Sequence, residues 1–121
     1  MKKSLVILAS AALLMSSCAG EYNKVFKSDD LDYRYEFAKQ CFAEGNYNQA
    51  ATLLLDLVTV KKGTDDAQES LYMLAMSQYM SMDFESASET FKRYYQTYPK
   101  GYYAEPATFY VGHILRRPVA L

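Results

Sequence analysis

The sequence predicts an all-α protein, a short solenoid of helix–turn–helix hairpins in which about two and a half copies of one unit follow each other. Three observations carry this reading. The pattern becomes helical from Asp29 onward. It then repeats at a constant offset of 37 residues. Tyr35-x-x-Ala38 falls on Tyr72-x-x-Ala75, and both fall on Phe109-x-x-Gly112. The same offset carries Asn46-Tyr47 onto Asp83-Phe84, Ala50 onto Ala87, Leu54 onto Phe91 and Leu57 onto Tyr94. Helix punctuation recurs between these positions. Gly45 suits a left-handed helix end, Asn46 with Gln49 and Asp65 with Gln68 read as capping boxes, and Asp83 can cap the next helix.

The elements follow in chain order. Met1-Lys2-Lys3 is positive, and Leu5 to Met15 is an apolar or small-residue run of 11 residues. A helix needs ~20 such residues to span a bilayer, so residues 1–17 read as a secretory signal peptide. The boundary Met15-Ser16-Ser17-Cys18 resembles the lipobox of bacterial lipoproteins, with Met15 where leucine is usual. The resemblance implies lipidation at Cys18. The other reading is an ordinary signal peptide with an incidental cysteine. Ala19 after the cysteine, by resemblance to the known sorting rule, implies the outer membrane. Residues 18–28 are polar and read as a flexible tether. Acylation would occupy Cys18, so no disulfide framework is expected at Cys41, which reads as a small buried hydrophobe. Helices are expected at 29–44, 47–61, 67–81, 84–98 and 103–116. They form repeats 29–65 and 66–102, a partial repeat 103–117, and a tail 118–121.

The unit resembles the tetratricopeptide repeat. Ala38, Gly45, Tyr47 and Ala50 hold its small, turn, aromatic and close-packing sites in the first copy; Ala75, Phe84, Ala87, Phe91 and Pro99 hold them in the second. Met82 stands at the turn glycine of the second copy and Lys62 at the closing proline of the first. The alanines let paired helix axes approach closely. In the third copy Pro118 blocks a further helix, and no turn or second helix follows Gly112. This implies a truncated version of a longer array; alternatively the last helix is itself the cap.

No catalytic constellation is legible. His113 is the sole histidine, no glycine-rich phosphate loop occurs, and no clustered metal ligands occur. Asp29, Asp30 and Asp32 fit a helix start, where the dipole attracts acids. With 13 basic and 14 acidic residues and no basic run beyond two, nucleic acid is not an expected partner. The chain reads as a non-enzyme, without cofactor or metal. What remains is a binding surface on the first helix of each hairpin. Tyr35, Lys39 and Phe42, then Tyr72, Met76, Tyr79 and Met80, then Phe109 and His113 would line it. Aromatic and thioether groups suit extended or partly folded peptides. The competing reading is that several of these residues pack between neighbouring repeats.

Longer segments carry a closer resemblance. They are CAGEYNK from Cys18, FAEGNYNQAA from Phe42, GTD from Gly63, ESLYMLAMS from Glu69, FK-x-YY-x-TYP from Phe91, and FYVG from Phe109. In these the chain resembles the BamD-like outer membrane protein assembly factors of the Bacteroidetes type. The resemblance implies a lipid-anchored scaffold on the periplasmic face of the outer membrane. Its partners would be a BamA-like barrel protein and unfolded β-barrel precursors. Only the family's substrate-recognition repeats would be kept, without those associated with BamA. A generic tetratricopeptide or SusD-like glycan-binding lipoprotein is the alternative.

Overall fold

The computed structural model describes residues 17–118, with side chains from Gly20 onward. The expected signal peptide up to Ser16, and residues 119–121 of the expected tail, lie outside the described residues. Among the described residues six helices run in order: α1 Ser17–Phe26, α2 Leu31–Ala43, α3 Tyr47–Val60, α4 Ala67–Met80, α5 Phe84–Thr97 and α6 Ala104–Leu115. Each packs chiefly on its neighbours in sequence. That is the pattern of an all-α, tetratricopeptide-type solenoid, and no strand occurs among the described residues.

The helix ends have identifiable causes. Asp30 caps α2 by accepting the Tyr33 N–H at 3.1 Å, and Asp83 caps α5 by accepting that of Ser86 at 3.3 Å. The C-termini of α2 and α4 close alike. Asn46 donates its N–H to the Cys41 carbonyl at 2.8 Å, and Asp83 donates to Gln78 at 2.9 Å. The residue before each donor has positive φ: Gly45 at +82° and Met82 at +66°. This is the Schellman arrangement, which satisfies the last carbonyls of a helix. Neither expected capping box forms. Asn46 makes no side-chain cap, and α4 is capped by position at Asp66 rather than Asp65, also without a side-chain bond.

The core follows the 37-residue register. Ala38, Ala50, Ala75 and Ala87 are fully buried where paired helices cross, surrounded by Leu53, Leu54, Leu57, Phe91 and Tyr94. Burying one such large apolar side chain is worth about 1.5–3 kcal/mol. Several polar groups that enter this core find partners. The Ser70 and Ser77 hydroxyls donate to the carbonyls of Asp66 and Met73, both at 2.8 Å. Thr90 of α5 donates to Gln78 Oε1 of α4 at 2.6 Å.

Two expectations are corrected. Residues 18–28 are not a loose tether, because Ser17–Phe26 is helical and packs on α2. Val25 is fully buried, Tyr22 packs against the core and stacks on Phe26 at 5.8 Å, and the Arg34 guanidinium lies 5.8 Å from the Phe26 ring centre. Docking on α2 supplies the stability that a helix of this length lacks alone. Second, Cys41 is buried as expected but is disulfide-bonded. The expectation of no disulfide assumed that acylation occupies Cys18 and leaves Cys41 without a partner.

Candidate binding surface

The first helices of the hairpins, α2, α4 and α6, carry the residues expected to line a groove. On α2 the expectation changes. Tyr35 is buried, not open. The Lys39 and Lys61 ammonium groups lie 4.7 and 4.6 Å from its ring centre. Lys39 also pairs with Glu36 at 2.8 Å, one helical turn earlier. Lys61 is nearly buried and bridges Asp32 at 3.4 Å and Asp66 at 3.3 Å, which ties the α3–α4 turn to α2. Burial pushes the Tyr35 hydroxyl well above the usual phenol range. The hydroxyl lies near Ser70 and Glu69 without reaching hydrogen-bonding geometry with either. Phe42, half-buried, meets Tyr47 edge-on at 5.4 Å.

On α4, Tyr72 is half-buried and stacks flat on Tyr103 at 4.3 Å, with Phe91 and Tyr94 each 5.9 Å away. Burial raises its hydroxyl to about 12. Tyr72 is thus mainly an inter-helix packing residue. Behind it, Tyr94 is fully buried, donates its O–H to Gln68 Oε1 at 2.9 Å, and accepts the Tyr103 N–H at 3.0 Å. Tyr102 also donates its N–H to Gln68 Oε1, at 3.3 Å. Gly101 makes this closure possible. A Cβ there would meet Gln68 Oε1 at 2.6 Å, Tyr98 Cβ at 2.7 Å and the Tyr94 hydroxyl at 2.8 Å.

The open part of the surface lies across α4 and α6. Tyr79 packs on Tyr110 at 5.0 Å and His113 at 6.0 Å, and Phe109 stacks on His113 at 6.1 Å. Met76, Tyr79 and His113 are half-buried, while Met80 is 47% exposed and Phe109 59% exposed. The structure therefore brings Tyr79, Phe109 and His113 together. It sets Tyr35 apart, inside the α2 packing. Sequence reasoning missed Tyr103, Tyr110 and Lys61. The register places Asp66 and Met73 opposite Tyr103 and Tyr110, so the repeat carries no signal for either. Lys61 was the end of an expected helix, and its role comes from a turn.

This surface offers ring edges and faces, thioether groups and one imidazole, which suits contact rather than bond-making. No group of three or more His, Cys, Asp or Glu side chains is placed to hold a metal among the described residues. No described helix is long and apolar enough to cross a membrane.

The tetratricopeptide repeat family matches residues 69–101. That span covers α4, α5 and the turn closed by Gly101, so the matched unit is the second hairpin of the register. Tetratricopeptide repeats are protein-interaction modules and not catalysts, and the chain is in this respect a protein-binding scaffold. Searches of curated proteins and of solved structures found no match to the chain.

Proposed function

We propose that the chain is a lipid-anchored receptor for unfolded β-barrel precursors at the periplasmic face of the outer membrane, acting with a BamA-like barrel protein. The observation that carries this reading is the exposed aromatic and thioether surface of α4 and α6, centred on Met80, Tyr79, Phe109 and His113. Barrel strands alternate apolar and polar residues and end in aromatic girdles. Such segments, while unfolded, present the apolar and aromatic side chains that this surface can contact. Methionine adapts its shape to varied partners, and tyrosine adds contact area at low entropic cost. The lipobox-like boundary at Cys18 and the BamD-like segments support the location and the partners.

The test is binding of peptides from barrel-protein strands to the mature chain, followed by fluorescence anisotropy. Met80→Ala with Phe109→Ala should weaken binding at least tenfold and leave helicity unchanged, because both side chains are exposed. Unchanged affinity removes this surface from the reading. Preferential binding of an oligosaccharide would favour the glycan-binding alternative.

The anchoring part has its own test. A cysteine sulfur can hold a thioether-linked lipid or a disulfide, not both, and the chain contains two cysteines. Intact mass of the membrane-extracted protein, with and without reductant, separates the two states. A mass increment of a diacylglyceryl group at Cys18 supports anchoring; a shift of two hydrogens on reduction, without lipid, overturns it.

A further inference from the structure

Two departures from the repeat lie apart from the surface of α4 and α6. Lys62 stands where the second copy has its closing Pro99. The other departure concerns an ion pair. In the first hairpin Arg34 of α2 pairs with Asp56 of α3 at 3.1 Å. The 37-residue register carries Arg34 onto Leu71 and Asp56 onto Arg93. The pair of one hairpin thus becomes a leucine and an arginine in the next, and Arg93 finds no carboxylate at the matching place. Lys62, Leu71 and Arg93 converge on one cavity.

That cavity, of about 110 Å³, lies among α3, α4 and α5. Val58, Ala67 and Leu71 form its depth, and each is more than nine-tenths buried. Half-buried Tyr98 closes one side, and Lys62 and Arg93 stand exposed at the rim. No carboxylate lines the cavity. Among the described residues neither Lys62 nor Arg93 makes an ion pair. Nearby Asp66 is already engaged by Lys61 at 3.3 Å. Two like charges therefore share one rim above an apolar floor, and an anion placed between them would be attracted to both.

We propose that this cavity binds a free short-chain aliphatic carboxylate, its hydrocarbon tail against Val58, Ala67 and Leu71 and its carboxylate between Lys62 and Arg93. The order of polarity selects the ligand. Such an acid enters tail first and keeps its charge at the rim, where water and both cations stabilise it. A glutamate or aspartate side chain of a partner would enter charge first and lay its carboxylate on the apolar floor, which is costly. Inorganic phosphate would meet the cations and leave the floor unused. The space is well below the roughly 300–1,000 Å³ of larger ligand sites, so the tail is short.

The probe is butyrate, titrated into the full chain and followed by methyl NMR. The methyl signals of Val58 and Leu71 should shift and saturate. Butyrate should bind about tenfold more tightly than acetate, because two further methylene groups are buried. Lys62→Gln with Arg93→Gln should weaken butyrate at least fivefold. Both side chains are exposed, so the thermal midpoint of this double variant should stay almost unchanged. Absent shifts, butyrate binding undiminished in the double variant, or butylamine or phosphate binding as tightly as butyrate overturns the proposal. So does a pentapeptide ending in valine that binds at least tenfold more tightly than butyrate, which would assign the cavity to a partner's C-terminus. Met80→Ala with Phe109→Ala should leave butyrate binding unchanged, so failure of this site and failure of the precursor-binding surface are told apart.

Discussion

Met82 adopts φ +66° at the place where Gly45 adopts φ +82° in the preceding hairpin. The two turns share one hydrogen-bond pattern, yet only one has the residue suited to it. A left-handed conformation costs a side-chain-bearing residue about 1–2 kcal/mol, and glycine returns part of that through the entropy of the unfolded chain. Met82 is exposed, so its side chain offsets little of the cost. Met82→Gly should therefore stabilise the protein by about 0.5–1 kcal/mol, and Met82→Val should destabilise it. Thermal melts of both variants check the prediction; a lower midpoint for the glycine variant contradicts it.

Gly101 presents the reverse case, where space and not φ is limiting. A methyl group there would press on Gln68, Tyr98 and the Tyr94 hydroxyl at once. Gly101→Ala should break the Tyr94–Gln68 and Tyr103–Tyr94 hydrogen bonds and cost about 1–3 kcal/mol, the range for unsatisfied buried polar groups. Tyr94→Phe should cost a similar amount by leaving Gln68 and the Tyr103 N–H without that partner. The two losses should be far less than additive in a denaturant double-mutant cycle, because they act on one network.

The buried tyrosines predict an alkaline limit. Burial raises the hydroxyls of Tyr72, to about 12, and of Tyr94 and Tyr35 in the same direction. In the unfolded chain a tyrosine ionises near about 10. Between these values the folded protein holds more protons than the unfolded one, so stability falls as pH rises. The contribution is fully present below the unfolded value and lost through the folded one. Denaturant melts should show declining stability above about pH 10, and Tyr72→Phe should make the decline shallower. A decline equally steep in Tyr72→Phe and the parent contradicts the prediction.

Val25 holds α1 in place. Val25→Asp would bury an unpaired carboxylate against α2, which is unfavourable enough to expel the segment instead. Trypsin should then cut rapidly after Lys24 and Lys27 in the variant and slowly in the parent, where these residues lie on or beside a docked helix. Rapid cleavage of both proteins at equal rates would show that α1 is not seated.

Much of the fold was legible because its signals are local and repeated. Five helices lie within two residues of their expected bounds, and four of them begin or end beside a side-chain cap or a left-handed turn. The crossing alanines were legible from the register alone. Helix α1 was not, because its apolar side is only Tyr22, Val25 and Phe26 and its stability comes from α2. The binding surface was half legible. Tyr79, Phe109 and His113 meet as the helical spacing suggests, whereas Tyr35 is roofed by Lys61 from a turn whose path no periodicity encodes. Gln68 was read as a cap and serves instead as an acceptor for Tyr94 and Tyr102, a long-range role invisible to local pattern.

Seating α1 on α2 alters the mechanics of attachment. Ten helical residues extend about 15 Å, and a loose strand of the same length could wander over about twice that span in any direction. A load fixed near Ser17 is then carried by a short lever bolted to the first hairpin, not by a leash. Torque at that end passes into the array through Val25, Phe26 and Arg34. The angle at which the open face of α4 and α6 meets its surroundings is accordingly set by how two helices pack, and a single core side chain becomes the pivot that holds it.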